Sequence, residues 1–345
     1  MYPQVTVITP TYNHALYIAE CIESMLNQTI KEWEMIIIDD GSTDRTADII
    51  KKYKDTRIRY IHHVHRGINF LGEVYNEALN LSKGEFVTIL EGDDFFPESR
   101  LERQIPVFED EEIVLSHGLI ANVEGGNIVC YPSLCPKDVR NNDPIGCILK
   151  EFLAGYNPIA TQSVMIRKSF LLEAGGFTQP SNLPLVDYPT WMRLSFLGRF
   201  RFIPEVLGFW RRHPTSVTMQ RSDEIFDSFI RYCDEFVQSF KSEIEASKFS
   251  LSRFVKNRGA IGYLALGLSK LSGKDWDGAL KYFKKSWKRK KAVNKPFQMR
   301  ILISILSTYI HLDLPGYLIK MRVLCMKKGL NKMPFVIHSS RNGHH

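Results

Sequence analysis

The 345-residue sequence has no pair of cysteines at metal-ligand or redox spacing. Its cysteines, Cys21, Cys130, Cys135, Cys147, Cys233 and Cys325, are scattered singly. That argues against a zinc site or a disulfide framework and points to a reducing compartment. The chain also lacks an apolar run of the ~20 residues that a bilayer crossing takes. The longest near its end starts at Ile301 and is broken by Asp313 and Pro315. No leader pattern precedes the first strand-like run. The expectation is a cytoplasmic protein, soluble or peripheral on the inner face of the membrane. No glycine occurs before Gly41, which speaks against the glycine-rich loop that cradles a triphosphate after a first strand. Acid is scarce in one region only. From Lys270 onward there are 17 Lys/Arg against three Asp, a net of +14, while the whole chain carries +7. A basic tail on an acidic body suits an anionic lipid surface. No nucleic-acid-binding motif accompanies the charge, so no such partner is expected.

What is present is an alternation of short apolar runs and amphipathic stretches. Val5–Ile8 and Met35–Ile38 read as buried strands, and Ile58–Ile61 and Phe86–Leu90 as a third and a fourth strand. Helical spacing fills Ala15–Gln28, Thr46–Tyr53 and Leu71–Leu81, the last with a C-cap expected at Lys83-Gly84, and Pro97 is expected to open a further helix. Strands alternating with helices predict an α/β fold, a doubly wound, mostly parallel sheet flanked by helices. Residues 113–220 read as mixed, with strands at Ile113–Ala121 and Ile128–Tyr131 and helices near Ile145–Ala154 and Tyr188–Phe196. Beyond Ser222 the pattern is helical, with a hairpin of Tyr263–Leu271 and Trp276–Trp287 turned at Ser272-Gly273-Lys274. This gives a domain at 1–221 and a small helical, basic extension at 222–345.

Ligands of such sheets bind beyond the C-terminal strand ends. Polar clusters fall there: Pro10-Thr11-Tyr12-Asn13-His14, Asp39-Asp40 and Glu91-Gly92-Asp93-Asp94. Three carboxylates within four residues repel one another, and a hard cation such as Mn²⁺ or Mg²⁺ would relieve them. The alternative is an acidic turn before a helix. Asp39 and Asp40 suit a base N–H or a ribose hydroxyl, or else cap the next helix. Tyr12 suits stacking on a base, or else is a surface aromatic. The His62-His63-Val64-His65 run has no acid or cysteine close by in sequence and is not read as a metal site.

These blocks, in this order and spacing, resemble family 2 glycosyltransferases of the GT-A fold. The likeness continues through Gly175-Gly176-Phe177, Asp187 with Trp191 and Arg193, and Arg211-Arg212-His213-Pro214. It covers roughly residues 3–220. It implies an inverting enzyme that moves a sugar from a nucleotide-diphosphate donor, commonly a UDP-sugar, to an acceptor hydroxyl. By position, Pro10, Thr11, Tyr12, Asn13, Asp39 and Asp40 would hold the nucleoside. Asp93 and Asp94 would hold the diphosphate and metal, with Glu91 contributing. Asp187 stands where the family keeps its base, and Arg211 and His213 lie on the loop over the diphosphate. The sequence departs from the pattern in three places. Glu91 replaces the usual first Asp, Val186 the first acid of an acidic pair, and Tyr75-Asn76 an Arg-Asn pair, for which Arg66 is a substitute. The resemblance implies a glycan or lipid-linked glycan acceptor in surface-polysaccharide synthesis. A catalytically silent, nucleotide-sugar-binding scaffold is the alternative that the departures keep open. In the tail, Lys281, Lys284, Lys285 and Lys288 beside Tyr282, Phe283 and Trp287, followed by apolar Ile301–Ile310, suit membrane docking or a solvated helix face.

Overall fold

The computed structural model describes residues 2–130, 135–153, 157–181, 183–213, 222–246 and 252–315. The chain forms two compact units, residues 1–152 with 156–249, and residues 250–345 with 153–155.

The first unit is built on an eight-stranded sheet. Its strands are β1 (Val5–Thr11), β2 (Trp33–Asp39), β3 (Ile58–His62), β4 (Phe86–Ile89), β5 (Ile113–Glu124), β6 (Asn127–Cys130), β7 (Met165–Arg167) and β8 (Arg199–Arg211). The order is β3-β2-β1-β4-β7-β5-β6, with β8 pairing on β5. Strands β1 to β4 are mutually parallel, so the loops after β1, β2 and β4 emerge at one edge. Every residue of β1 and β4 is buried, which is why these strands read as unbroken apolar runs and not as alternation. The helix Ile18–Leu26 buries Ile18, Cys21, Ile22 and Met25 against the sheet. The helix Leu71–Leu81 has the expected bounds and buries Val74, Tyr75, Ala78 and Leu79.

Gly84 is not the cap of that helix, which ends at an extended Ser82. A Cβ on Gly84 would lie 2.5 Å from the Thr6 amide nitrogen. The glycine is there because two backbones touch. Pro97 precedes its helix by three residues: the chain turns first and the helix runs over Arg100–Gln104. Arg100 is wholly buried. It donates to Thr88 Oγ1 at 2.6 Å, to the carbonyls of Gln162 at 2.7 Å and Val164 at 2.8 Å, and to Gln104 Oε1 at 2.8 Å.

The long strand β8 has no counterpart in the sequence reading. Pro204 and Gly208 look like breakers, and the register on β5 jumps from Gly118↔Ile203 to Leu119↔Val206. Pro204 and Glu205 therefore bulge out of the ladder, the place where a sheet tolerates proline. The helix Ser222–Ser239 belongs to this unit and buries Phe229, Ile230, Cys233 and Phe236.

The second unit holds helices Ser252–Ser272, Trp276–Lys288 and Lys295–Tyr309 around Ala260, Leu264, Leu271, Ala279, Phe283 and Ile301. The expected hairpin is present, and Lys274 takes the left-handed conformation at its turn. Asp275 and Asn294 cap the second and third helices by accepting from Gly278 and Phe297 amides. Among the described residues no helix is long and apolar enough to cross a membrane.

His117 on β5 is fully buried, and its Nε2 donates to the Arg140 carbonyl at 2.9 Å. Burial pushes its pKa down to about 4. Below pH ~6.5 the unfolded chain takes up a proton that the folded chain refuses, so stability falls as pH drops toward 4. Urea unfolding of the wild type and His117→Gln at pH 7, 6 and 5 should show the smaller loss in the variant. Parallel losses would contradict this role.

Candidate active site

The loops after β1, β2 and β4 are sewn to one another by backbone hydrogen bonds. Asp40 N donates to Thr11 O at 2.9 Å and Gly92 N to Pro10 O at 3.1 Å. Gly92 is required by crowding, since a Cβ there would lie 2.5 Å from Thr11 Oγ1 and 2.8 Å from His14 Nδ1.

Glu91, Asp93 and Asp94 each present a carboxylate oxygen within 4.8 Å of the others. Among the described residues they are the one such group of possible metal ligands. Asp94 is fully buried and its oxygens are both engaged: Arg211 N donates to Oδ1 at 2.8 Å and Gln162 Nε2 to Oδ2 at 2.9 Å. Burial and the charges of Asp93 and Glu91 hold its pKa well above the usual carboxylate range. Glu91 accepts from the Tyr75 hydroxyl at 3.1 Å. Burial and the charge of Asp93 push it up to about 8. Asp93 goes the other way. Burial raises it, but a 2.9 Å hydrogen bond from His213 Nε2 and the charge of His14, 3.9 Å away, outweigh that, and the net shift is downward.

The floor of this cluster comes from β8. Arg211 is the last residue of that strand rather than part of a free loop. Its guanidinium donates to Asp93 O and Glu20 Oε2, both at 2.5 Å, and lies over the rings of Tyr17 and Phe95. Phe95 and Phe209 bridge through their backbones and stack 4.5 Å apart. This join carries Arg211 and His213 to the acidic turn.

Asp187 opens the helix Asp187–Leu194. Asn157 Nδ2 donates to its Oδ2 at 3.2 Å. Burial raises its pKa, while hydrogen bonds from the Tyr188 backbone and the Thr161 side chain oppose the shift. Its charge reaches Glu91 and Tyr75, so β4, β8 and this helix converge on one electrostatic site.

The residues expected at the nucleoside are together but largely engaged. Asp39 is fully buried and accepts from Ser42 N at 2.8 Å and Tyr60 OH at 2.8 Å. Asp40 accepts from the amides of Arg66 at 2.9 Å and Gly67 at 2.8 Å. Tyr12 stacks on His65 at 4.2 Å. Asn13, in the left-handed conformation at φ 55°, accepts from Thr43 N at 2.8 Å. The Arg66 side chain pairs with Glu73 and Glu77. The histidine run has acidic neighbours that sequence distance hid: His62 faces Asp39, His63 Glu77 and His65 Asp40. Each imidazole has its own carboxylate, so the three do not share a ligand site.

Several site residues escaped the sequence reading. His14 stood in the quoted first loop without a role. Tyr75, which stands where the resemblance has an arginine, turns its hydroxyl to Glu91. Asn157 and Gln162 lie in a stretch without recognisable signal. Asn76 grips Phe177 through both backbone groups, donating to its carbonyl and accepting from its amide at 2.8 Å each.

The family model described as glycosyl transferase family 2 matches residues 6–170. TuaG of Bacillus subtilis, named as a teichuronic acid biosynthesis glycosyltransferase, is 32% identical over 203 residues, 57% of this chain and 73% of that one. The chain belongs to glycosyltransferase family 2. Chondroitin synthase of Escherichia coli is 31% identical over 228 residues, 64% of this chain but 31% of that longer protein. Among solved structures, S. aureus TarS 1–349 in complex with UDP-GlcNAc superposes with a TM-score of 0.59 at 17% identity, covering 89% of each chain. That likeness establishes the GT-A fold.

The Asn76 grip is structural. Asn76→Ala should lower stability by about 2 kcal/mol, two hydrogen bonds to partly buried backbone groups being lost. Urea unfolding measures it, and an unchanged midpoint would remove Asn76 from this role.

Proposed function

We propose that this family 2 glycosyltransferase moves a sugar from a UDP-sugar to a hydroxyl of a glycan or lipid-linked glycan in surface-polysaccharide synthesis, inverting the anomeric carbon. The observation that carries the reading is the carboxylate trio at the end of β4, closed from below by Arg211 and His213. The donor set fits a hard divalent cation. All ligands are oxygens, they crowd within 4.8 Å, and burial and the charge of Asp93 raise the pKa of both Glu91 and Asp94. Asp93, Asp94 and Glu91 would hold Mn²⁺ or Mg²⁺, which when bound would supply positive charge against the donor diphosphate.

The chain's own groups do the rest. Arg211 and His213 hold Asp93 from the β8 side and so set the edge that the phosphates would meet. Pro10, Thr11, Tyr12, Asn13, Asp39, Asp40 and Arg66 form the wall for base and ribose. The 4.2 Å stack of His65 on Tyr12 leaves one face of Tyr12 for a base, or gives way to it. Asp187 removes the acceptor proton as the hydroxyl attacks the anomeric carbon opposite the leaving diphosphate. General-base help of this kind is worth ~10²–10⁴ in rate. Direct displacement needs one base and no covalent nucleophile, so the missing acid at Val186 does not disable it.

The second unit supplies a membrane-facing surface in this reading. Lys281, Lys284 and Lys288 are exposed along one face of the helix Trp276–Lys288. The helix Lys295–Tyr309 buries Ile301 together with Ser304, Ser307 and Thr308, while Met299, Leu302, Leu306 and Tyr309 are 40–62% exposed. An exposed apolar stripe on one helix and exposed lysines on another suit an anionic bilayer surface. The protein should sediment with phosphatidylglycerol-containing vesicles and not with pure phosphatidylcholine, and Leu302→Asp/Leu306→Asp should release it. Equal sedimentation of variant and wild type would remove the surface from the proposal.

The donor site is tested by thermal stability with UDP, GDP and dTDP, with and without Mn²⁺. A ligand of the folded state raises the melting temperature. UDP with Mn²⁺ should stabilise the wild type, and Asp94→Ala should not respond. Stabilisation without any sugar release from UDP-sugars would favour the silent scaffold.

A further inference from the structure

Asp94 and Asp187 come from different elements, yet one short stretch touches both. Gln162 Nε2 donates to Asp94 Oδ2 at 2.9 Å. Asn157 Nδ2 donates to Asp187 Oδ2 at 3.2 Å, and the Thr161 side chain, between them in sequence, favours the charged form of Asp187.

The stretch is fixed at its C-terminal end. The carbonyls of Gln162 and Val164 accept from the buried Arg100 guanidinium at 2.7 and 2.8 Å, and the Ser163 carbonyl accepts from Gln104 Nε2 at 2.9 Å. Buried donors of this kind hold carbonyls firmly because an unmade bond costs their full desolvation. Behind Gln162 stands Gly208 of β8, where a Cβ would lie 2.3 Å from the Gln162 oxygen. Strand β8 thus presses on Gln162 and, three residues on, delivers the Arg211 amide to the other oxygen of Asp94. At the far end, Asn157 Oδ1 accepts from Ile159 N at 3.0 Å. That bond orients the amide and leaves Nδ2 toward Asp187. Neither Asn157 nor Gln162 has a charge or a nucleophile of its own to bring to a reaction.

We propose that residues 157–162 are a positioning element that sets the separation of the donor-holding carboxylate Asp94 from the acceptor-activating carboxylate Asp187, Gln162 serving the first and Asn157 the second. The proposal rests on the donor-site reading above. Gln162 orients Asp94 before the donor arrives, so its loss falls on binding of the nucleotide diphosphate. Asn157 orients Asp187, which acts after the donor is bound, so its loss falls on turnover.

The experiment uses the full chain and three measurements on the wild type, Gln162→Met and Asn157→Ala. These are calorimetric binding of UDP with Mn²⁺, steady-state hydrolysis of the UDP-sugar that the wild type hydrolyses fastest, and the ligand-free melting temperature. Gln162→Met should weaken UDP binding at least ten-fold. Asn157→Ala should leave UDP binding within two-fold and donor KM unchanged while kcat falls at least ten-fold. Asn157 is partly exposed, so its variant decides the matter alone if Gln162→Met does not fold. Loss of binding and turnover together in Asn157→Ala, or wild-type values in it, overturns the proposal with the donor site intact. A wild type that binds no UDP with Mn²⁺ overturns the donor-site reading itself.

Discussion

Mutual repulsion among Glu91, Asp93 and Asp94 is the constraint around which this fold is arranged. Three carboxylate oxygens within 4.8 Å, at the end of a strand with no exposed residue, are unfavourable in a low-dielectric setting. The chain meets that cost with fixed dipoles and partial neutralisation. Arg211 N and Gln162 Nε2 bind Asp94, Tyr75 OH binds Glu91, and His213 binds Asp93. The Arg211 guanidinium sits nearby but spends itself on the Asp93 carbonyl and Glu20. Near neutral pH the raised Glu91 and Asp94 hold protons that relieve the repulsion, and a cation with a bound diphosphate would take the place of those protons.

The rest of the first unit serves that arrangement. Strands β1 to β4 bring three loops to one edge. β5 carries β8 along its whole length, and β8 ends at Arg211, beneath the acidic turn. The bulge at Pro204 and the bare backbone at Gly208 are what let a thirteen-residue strand follow β5 and still pass close to Gln162. The buried Arg100, bonded to neutral oxygens, ties the helix after β4 to the segment holding Asp94.

Much of this was legible in the residues. Strands β1, β2 and β4 declared themselves as apolar runs because both faces of the parallel sheet are covered there, while the edge strand β3 is only partly covered, and the polar clusters after β1, β2 and β4 meet at one edge. The acidic triplet stood out because three adjoining carboxylates are costly anywhere but at a ligand. What stayed hidden depends on distance in space. His62, His63 and His65 were without visible partners because Asp39, Asp40 and Glu77 reach them only after folding. Tyr75 looked like a loss because its use is a hydroxyl aimed at Glu91. Gln162 and Asn157 are ordinary amides until their carboxylates are placed. Strand β8 was masked by a proline and a glycine that serve a bulge and a close approach.

The central claim is that the trio at the end of β4 is the seat of a metal-bound diphosphate. Crystals grown with UDP and Mn²⁺, measured at a wavelength where manganese scatters anomalously, test it most directly. The account predicts one anomalous peak within ~2.2 Å of oxygens of Asp93 or Asp94, with the diphosphate between it and the Arg211–His213 side. A peak elsewhere, or UDP bound with no manganese near these carboxylates, would contradict it.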